Sequence, residues 1–288
     1  MYRFDTLYRL IERAASGPVP LRRAFAESRL ADLYWRVAPS VHRRRRHRSS
    51  GHVDPPVDPF ELFEVDPADI TRFTGRQFPV WADSWYDIGA VRGGEWDQRL
   101  VPPVEPSYAG PSPDLYLAET FTETPLHRAL RRHFEAGVPW ADLEFIQRVE
   151  RAARTSDVEV WQDESTVAEI RRYCRDLDRL YESIRDRGFL SMRELNAREG
   201  RRMTFREVME DEILVDVSRT GELLFVTGRH RLSMAKLLDL DSVPVGVVVR
   251  HREWHDETEP AVETPGERAR DAPAESEAPL GEGLDVAW

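Results

Sequence analysis

The chain has 288 residues, 41% hydrophobic and 10% aromatic, enough for one or two domains around a real core. A formal net charge of −11 argues against tight, sequence-independent binding to nucleic acid and leaves only a local basic patch for that role. The single cysteine, Cys174, excludes an internal disulfide and a cysteine-based zinc site. No run has the apolar length of a signal-peptide core or a membrane span, so the expected compartment is the cytoplasm. Lys236 is the only lysine beside a large acid excess, a bias of salt-adapted proteomes or GC-rich genomes. In such a chain a lone arginine is weak evidence of function.

Residues 1–50 read as a basic amphipathic helical segment. "TLYRLIERA" and "LRRAFAESRLADLYWRVAP" place large apolar residues at three- and four-residue spacing. "HRRRRHRSSG" after them reads as an exposed basic loop. This segment either meets acidic lipid, nucleic acid or a protein partner, or packs on the main body beside a solvated linker. "GHVDPPVDP" marks a boundary, and the main domain is expected over 55–255. "LFEVDPADITRF" reads as a strand and a short turn, and the region 72–140 is rich in aromatics. Within it, "RGGEWD" predicts a tight loop carrying Glu95 and Asp97. The stretch from "SPDLYLAETF" to "RVERAA" reads as largely helical, broken around Gly137 to Pro139.

"DESTVAEIRRYCRDLDRLYESIRDRG" predicts the clearest helix. Asp163 to Thr166 supply its cap, a stripe from Val167 to Ile184 its buried face, and Gly188 its stop. Cys174 lies on that stripe and reads as core. "ILVDVSR", "TGE" and "LLFV" predict a hairpin, with Asp216 facing either the site or solvent. A helix over 229–240 and an apolar strand "VPVGVVVRH" follow, the strand ending on Arg250 and His251, with Glu253 just beyond. Residues 256–288, rich in Glu, Pro and Ala, are expected to be a disordered acidic tail. His251 and His255 lack a convincing third ligand, so no metal site is predicted.

One junction stands out. In "FVTGRHRLSMAKLL" a strand passes through Thr227 and Gly228 into a helix that begins with Arg229, His230 and Arg231. A helix N-terminus already carries partial positive charge, so three cationic side chain types there reverse ordinary capping preference. The pattern points to an anion, a phosphate above all: glycine lets backbone approach it and an arginine can grip its oxygens bidentately.

The order helix, strand, strand, Gly-x-x-Arg helix, strand, with "LDLDSVPV" leading into the last strand, resembles the ParB/sulfiredoxin superfamily over 163–250. "FEVDPADITRF" is similar to that family's first strand, and the whole layout resembles uncharacterised ParB-like proteins of haloarchaeal type. The resemblance implies an α+β fold, a small mixed β-sheet with flanking helices. It also implies a nucleotide held at Thr227, Gly228, Arg229, His230 and Arg231, as CTP, ATP or ADP is held in different branches. ParB proteins carry a glutamate where this chain has Arg229, and a later arginine where it has Ser233; no helix-turn-helix pattern follows. Sulfiredoxins need a cysteine where Arg229 stands, so their thiolate chemistry cannot run. The Gly-His-His-Arg pattern of a ParB-like small-molecule kinase is nearest.

The expectation is a nucleotide-dependent phosphotransferase acting on a small hydroxylated metabolite or sugar, using ATP or ADP, or else CTP, with Mg²⁺ as accompanying cation. Glu95, Asp97 and His230 are the candidate catalytic residues. Two alternatives stand beside it: a non-catalytic nucleotide-responsive module, and a ParB-like DNA-binding protein or nuclease.

Overall fold

The structure is a computed structural model and describes residues 25, 28–49, 58–82, 84–155, 160–162, 164–198, 200 and 203–258, with side chains throughout except at 45–49. The element order is α1 (Arg29–Ser49), β1 (Leu62–Val65), β2 (Arg72–Phe73), α2 (Ser84–Asp87), β3 (Ala90–Arg92), α3 (Pro125–Phe134), α4 (Glu144–Thr155) and α5 (Val167–Arg187). Then come α6 (Met192–Arg198), α7 (Phe205–Glu210), β4 (Ile213–Val217), β5 (Leu223–Thr227), α8 (Arg229–Leu237), β6 (Val243–His251) and α9 (Arg252–Thr258).

The strands form one mixed six-stranded sheet in the order β1-β6-β4-β5-β2, with β3 also on β6. β4 and β5 are the expected antiparallel hairpin, and β4 and β6 run parallel. On its other edge β6 carries β1 along Val243 to Gly246 and β3 along Val249 to His251. The chain is therefore mixed α+β, the class expected for it.

Apolar side chains cover both sheet faces, so β4 and β6 are buried along their whole length rather than on alternate residues. One face, with Leu214, Val226 and Val248, packs against α1, α7 and Trp85. The other, with Val215, Phe225 and Val245, receives Leu232 and Ala235 of α8. Met234 of α8 reaches a third cluster built by α3, α4 and α5. Helix α8 is thus wedged between the sheet and a helical layer.

α5 shows how local chemistry fixes an element. The Thr166 side chain accepts from the Glu169 N–H at 3.2 Å while the Glu169 carboxylate accepts from the Thr166 N–H at 3.0 Å, a reciprocal cap. Ile170, Cys174, Leu177 and Ile184 are buried, and Gly188 ends the helix at φ 81°.

Three expectations need correction. The arginine run read as a loop continues α1 to Ser49, because nothing in "HRRRRHRS" breaks a helix. α1 lies on the body, with Tyr34 and Ala38 buried, Tyr34 Oη accepting from the Phe205 N–H at 2.9 Å, and His42 stacked on Phe205. The helix expected over 229–240 ends at Leu237, since Asp239 turns into the left-handed region at φ 50° while Leu238 and Leu240 still pack inward. Residues 256–258 close α9, within the span expected to be tail; residues 259–288, and 1–24 at the other end, lie outside the described residues. Among the described residues no helix is long and apolar enough to cross a membrane.

Candidate functional site

A concavity of about 500 Å³ opens where β5 runs into α8. Thr227, Gly228, Arg229, His230 and Arg231 all line it, so the structure brings the predicted phosphate-binding set together. Trp81, Tyr108 and Tyr116 form an aromatic wall, and Glu210 with Asp211 contributes an acidic edge.

Gly228 occupies the N-cap of α8 at φ 88°. A Cβ there would stand 2.8 Å from the Ile213 Cα and 3.0 Å from the Glu212 carbonyl oxygen. Glycine is required twice over, for its left-handed backbone and for its contact with β4. No side chain caps α8, so its first-turn N–H groups keep the unmet donor capacity of a helix start.

The three residues that follow have distinct environments. The Arg229 guanidinium lies 4.3 Å from the ring centre of Tyr116 and 4.8 Å from that of Trp81. Its Nη1 is buried with no hydrogen-bond partner, and among the described residues it meets no carboxylate. Desolvation pushes its pKa down to about 10, so it remains a cation at neutral pH.

His230 is 8% exposed. Trp161 and Tyr173 flank its ring, and the Tyr173 hydroxyl lies 3.3 Å from Nδ1, while Nε2 has no partner. Desolvation, then Arg229, lowers its pKa to about 3, so the imidazole is neutral. A neutral ring with one nitrogen engaged can offer the other to a ligand.

Arg231 is committed inward. Its Nη1 donates to Glu212 at 3.1 Å, its Nη2 donates to the Leu190 carbonyl, and its guanidinium lies 4.5 Å from the Phe189 ring centre. Glu212 is fully buried: burial pushes its carboxyl up, and Arg231 draws it back down. Only Arg231 Nε lacks a partner. Among the described residues the guanidinium left over for an anion belongs to Arg229, two residues earlier than the Gly-x-x-Arg arginine.

Glu95 and Asp97 do not line this cavity. Asp97 accepts from the Arg219 N–H at 3.0 Å, Nε at 2.9 Å and Nη2 at 2.8 Å. Burial pushes this carboxyl up, yet the Arg219 bonds and His251 outweigh it and hold it at about 2. Glu95 is largely exposed, 3.3 Å from the same Arg219, and Glu253 lies 3.8 Å from it. His251 is fully buried with Nε2 2.9 Å from the Gly94 carbonyl, and Arg250 is buried with its guanidinium 5.9 Å from the Phe63 ring centre. These residues tie the loop 93–98 to the end of β6.

Asp216 faces neither cavity nor solvent. Fully buried, it accepts from Arg76 Nε at 2.7 Å and from the Val249 N–H at 3.0 Å, and Arg76 bridges on to Asp87 at 2.8 Å. Cys174 is core as expected, its thiol pushed up to about 12 by burial. Among the described residues no group of three or more His, Cys, Asp or Glu side chains is arranged to hold a metal. A Mg²⁺ brought by a nucleotide would need only its phosphates, water and one or two carboxylates.

Sequence reasoning missed Asp211, Tyr116 and Trp81. The first sits just before the hairpin and the others in the aromatic-rich region, and only the fold brings them to Arg229. The site is an aromatic-walled cleft with a guanidinium that meets no carboxylate among the described residues, beside a helix start without a side-chain cap, set in a mixed α+β domain. Compared with protein-family models, curated proteins and solved structures, the chain matches none.

Proposed function

We propose that this cleft binds the phosphates of a nucleotide and that the protein transfers a phosphoryl group from it to a small hydroxylated metabolite or sugar, within a ParB/sulfiredoxin-like fold. One observation carries the binding half: Arg229 is a half-buried cation whose Nη1 is buried without a hydrogen-bond partner and which, among the described residues, meets no carboxylate, at a helix start with no side-chain cap. A desolvated charge without a counter-charge is costly, and an anionic ligand removes the cost. His230 Nε2 adds a second buried group without a partner on the same wall. The aromatic wall suits a flat base or the apolar face of a sugar.

Thermal unfolding with ATP, ADP, CTP and GTP, each with Mg²⁺ and at high salt, tests this reading. A rise in Tm with one nucleotide, abolished in Arg229→Ala, is expected. No rise with any of them rejects the phosphate site.

The position of Glu95 and Asp97 outside the cavity favours a second reading, a nucleotide-responsive module without catalysis. Binding with no turnover across a panel of hydroxylated acceptors is its signature.

A further inference from the structure

Among the described residues, the charged side chains on the cleft wall have protein partners except two. Arg231 is held by Glu212, and Glu210 accepts from Arg206 Nη2 at 2.9 Å. Arg229 meets only aromatic rings, and among the described residues the Asp211 carboxylate makes no hydrogen bond or ion pair. Two opposite charges thus line one cavity with no ion pair between them, so each is available to a ligand that enters it.

Asp211 is firmly placed. It is the C-cap of α7, its N–H donating to the Glu207 carbonyl at 3.0 Å. Its own carbonyl lies 3.5 Å from Arg231 Nη1. The next two residues, Glu212 and Ile213, are those against which Gly228 packs. The backbone that carries the carboxylate is therefore pinned to the backbone that forms the phosphate cradle, while its side chain stays open to the cleft.

We propose that Asp211 is the catalytic residue that receives the proton of the acceptor hydroxyl. This rests on the phosphoryl-transfer reading above. The acceptor oxygen forms a bond to the terminal phosphorus of a nucleoside triphosphate, the bridging P–O bond breaks, the nucleoside diphosphate leaves with that electron pair, and the hydroxyl proton passes to the Asp211 carboxylate. The groups around it suit that task. Desolvation first, then Glu207, Glu210 and Glu212, against Arg231, raise its pKa to about 6, so it is ionised at neutral pH yet more basic than an ordinary carboxylate.

The test uses the full chain with Mg²⁺ and ATP or CTP, water and glycerol serving as acceptors. Nucleotide affinity is measured by calorimetry and nucleoside diphosphate release as turnover, for the wild type, Asp211→Asn and Asp211→Glu. Expected are nucleotide affinity within about threefold of wild type in Asp211→Asn, turnover reduced about 100-fold or more, and partial recovery in Asp211→Glu. Wild-type turnover should rise with pH through about 6 and then level; in Asp211→Asn that limb should vanish. Full turnover in Asp211→Asn overturns the assignment and leaves the phosphate site standing, as does binding without turnover in the wild type. A loss in Asp211→Asn that added Mg²⁺ restores makes the residue a metal ligand instead. No nucleotide binding by the wild type overturns both readings.

Discussion

The Arg229 guanidinium carbon lies 4.3 Å from the centre of the Tyr116 ring, and that contact stands where a carboxylate would ordinarily be. An aromatic face steadies a cation by about 0.5–2 kcal/mol without neutralising it. The charge is thus held in place and still available to a ligand. Arg229→Ala should weaken nucleotide binding by roughly 10- to 100-fold, since hydrogen bonds involving a charged group contribute about 1.5–3 kcal/mol. The unliganded variant should unfold no earlier than wild type, because it loses a half-buried cation that has no counter-charge among the described residues. Calorimetry and thermal unfolding read the two effects separately. An affinity unchanged in Arg229→Ala would remove this residue from the site.

Arg231→Ala should behave in the opposite way. Its removal strands Glu212, which is fully buried and 3.1 Å from Arg231 Nη1. Breaking a buried ion pair from one side costs about 3–5 kcal/mol. Urea unfolding should show that loss, and Glu212→Gln in the same chain should recover part of it. Should Arg231→Ala keep wild-type stability yet lose nucleotide binding, the motif arginine would be the ligand grip after all.

The contrast between these two arginines shows where sequence reading stops. Local signals carried the hairpin and α5: "TGE" supplied the turn, Thr166 with Glu169 the cap, and Gly188 the stop. The Gly228 junction was legible for the same reason, since cations at a helix start violate a local preference. Which cation would be free was not legible. It depends on Glu212 lying beneath Arg231, 19 residues away in sequence. Likewise "GGEWD" offered two carboxylates, but the fold gives Asp97 to Arg219, 122 residues away. Asp211 is not legible as a site residue for the same reason: that its carboxylate lines the cavity, with no ion pair among the described residues, appears only in three dimensions.

Gly228→Ala should separate backbone strain from charge. At φ 88° an added Cβ is strained and would stand 2.8 Å from the Ile213 Cα. Left-handed strain of this kind costs about 1–3 kcal/mol, and the clash with β4 adds to it. The variant should unfold at lower temperature and bind nucleotide poorly, because the start of α8 must shift away from β4. A wild-type Tm would mean that the strand and helix are not in close contact here.

Acid should destabilise the fold through two histidines rather than through its carboxylates alone. Burial lowers His230 to about 3, with Arg229 adding to the effect, and lowers His127 to about 4, with Arg131 and Lys236 adding. Both values fall below the 6.5 of an unfolded histidine, so between these limits the unfolded chain binds protons that the native chain refuses. Stability is therefore fully retained above pH about 6.5 and declines as pH falls toward about 4 and then about 3. Each histidine adds at most about 1.4 kcal/mol per pH unit to the slope. Unfolding free energies measured from pH 7.5 to 4.5 should fall less steeply in His127→Leu than in wild type. A bound phosphate should flatten the decline: its negative charge favours protonated His230, so nucleotide should protect most at the acid end of the range. Parallel curves for wild type and His127→Leu would show that this ring titrates alike in the native and unfolded chain and that burial does not lower it.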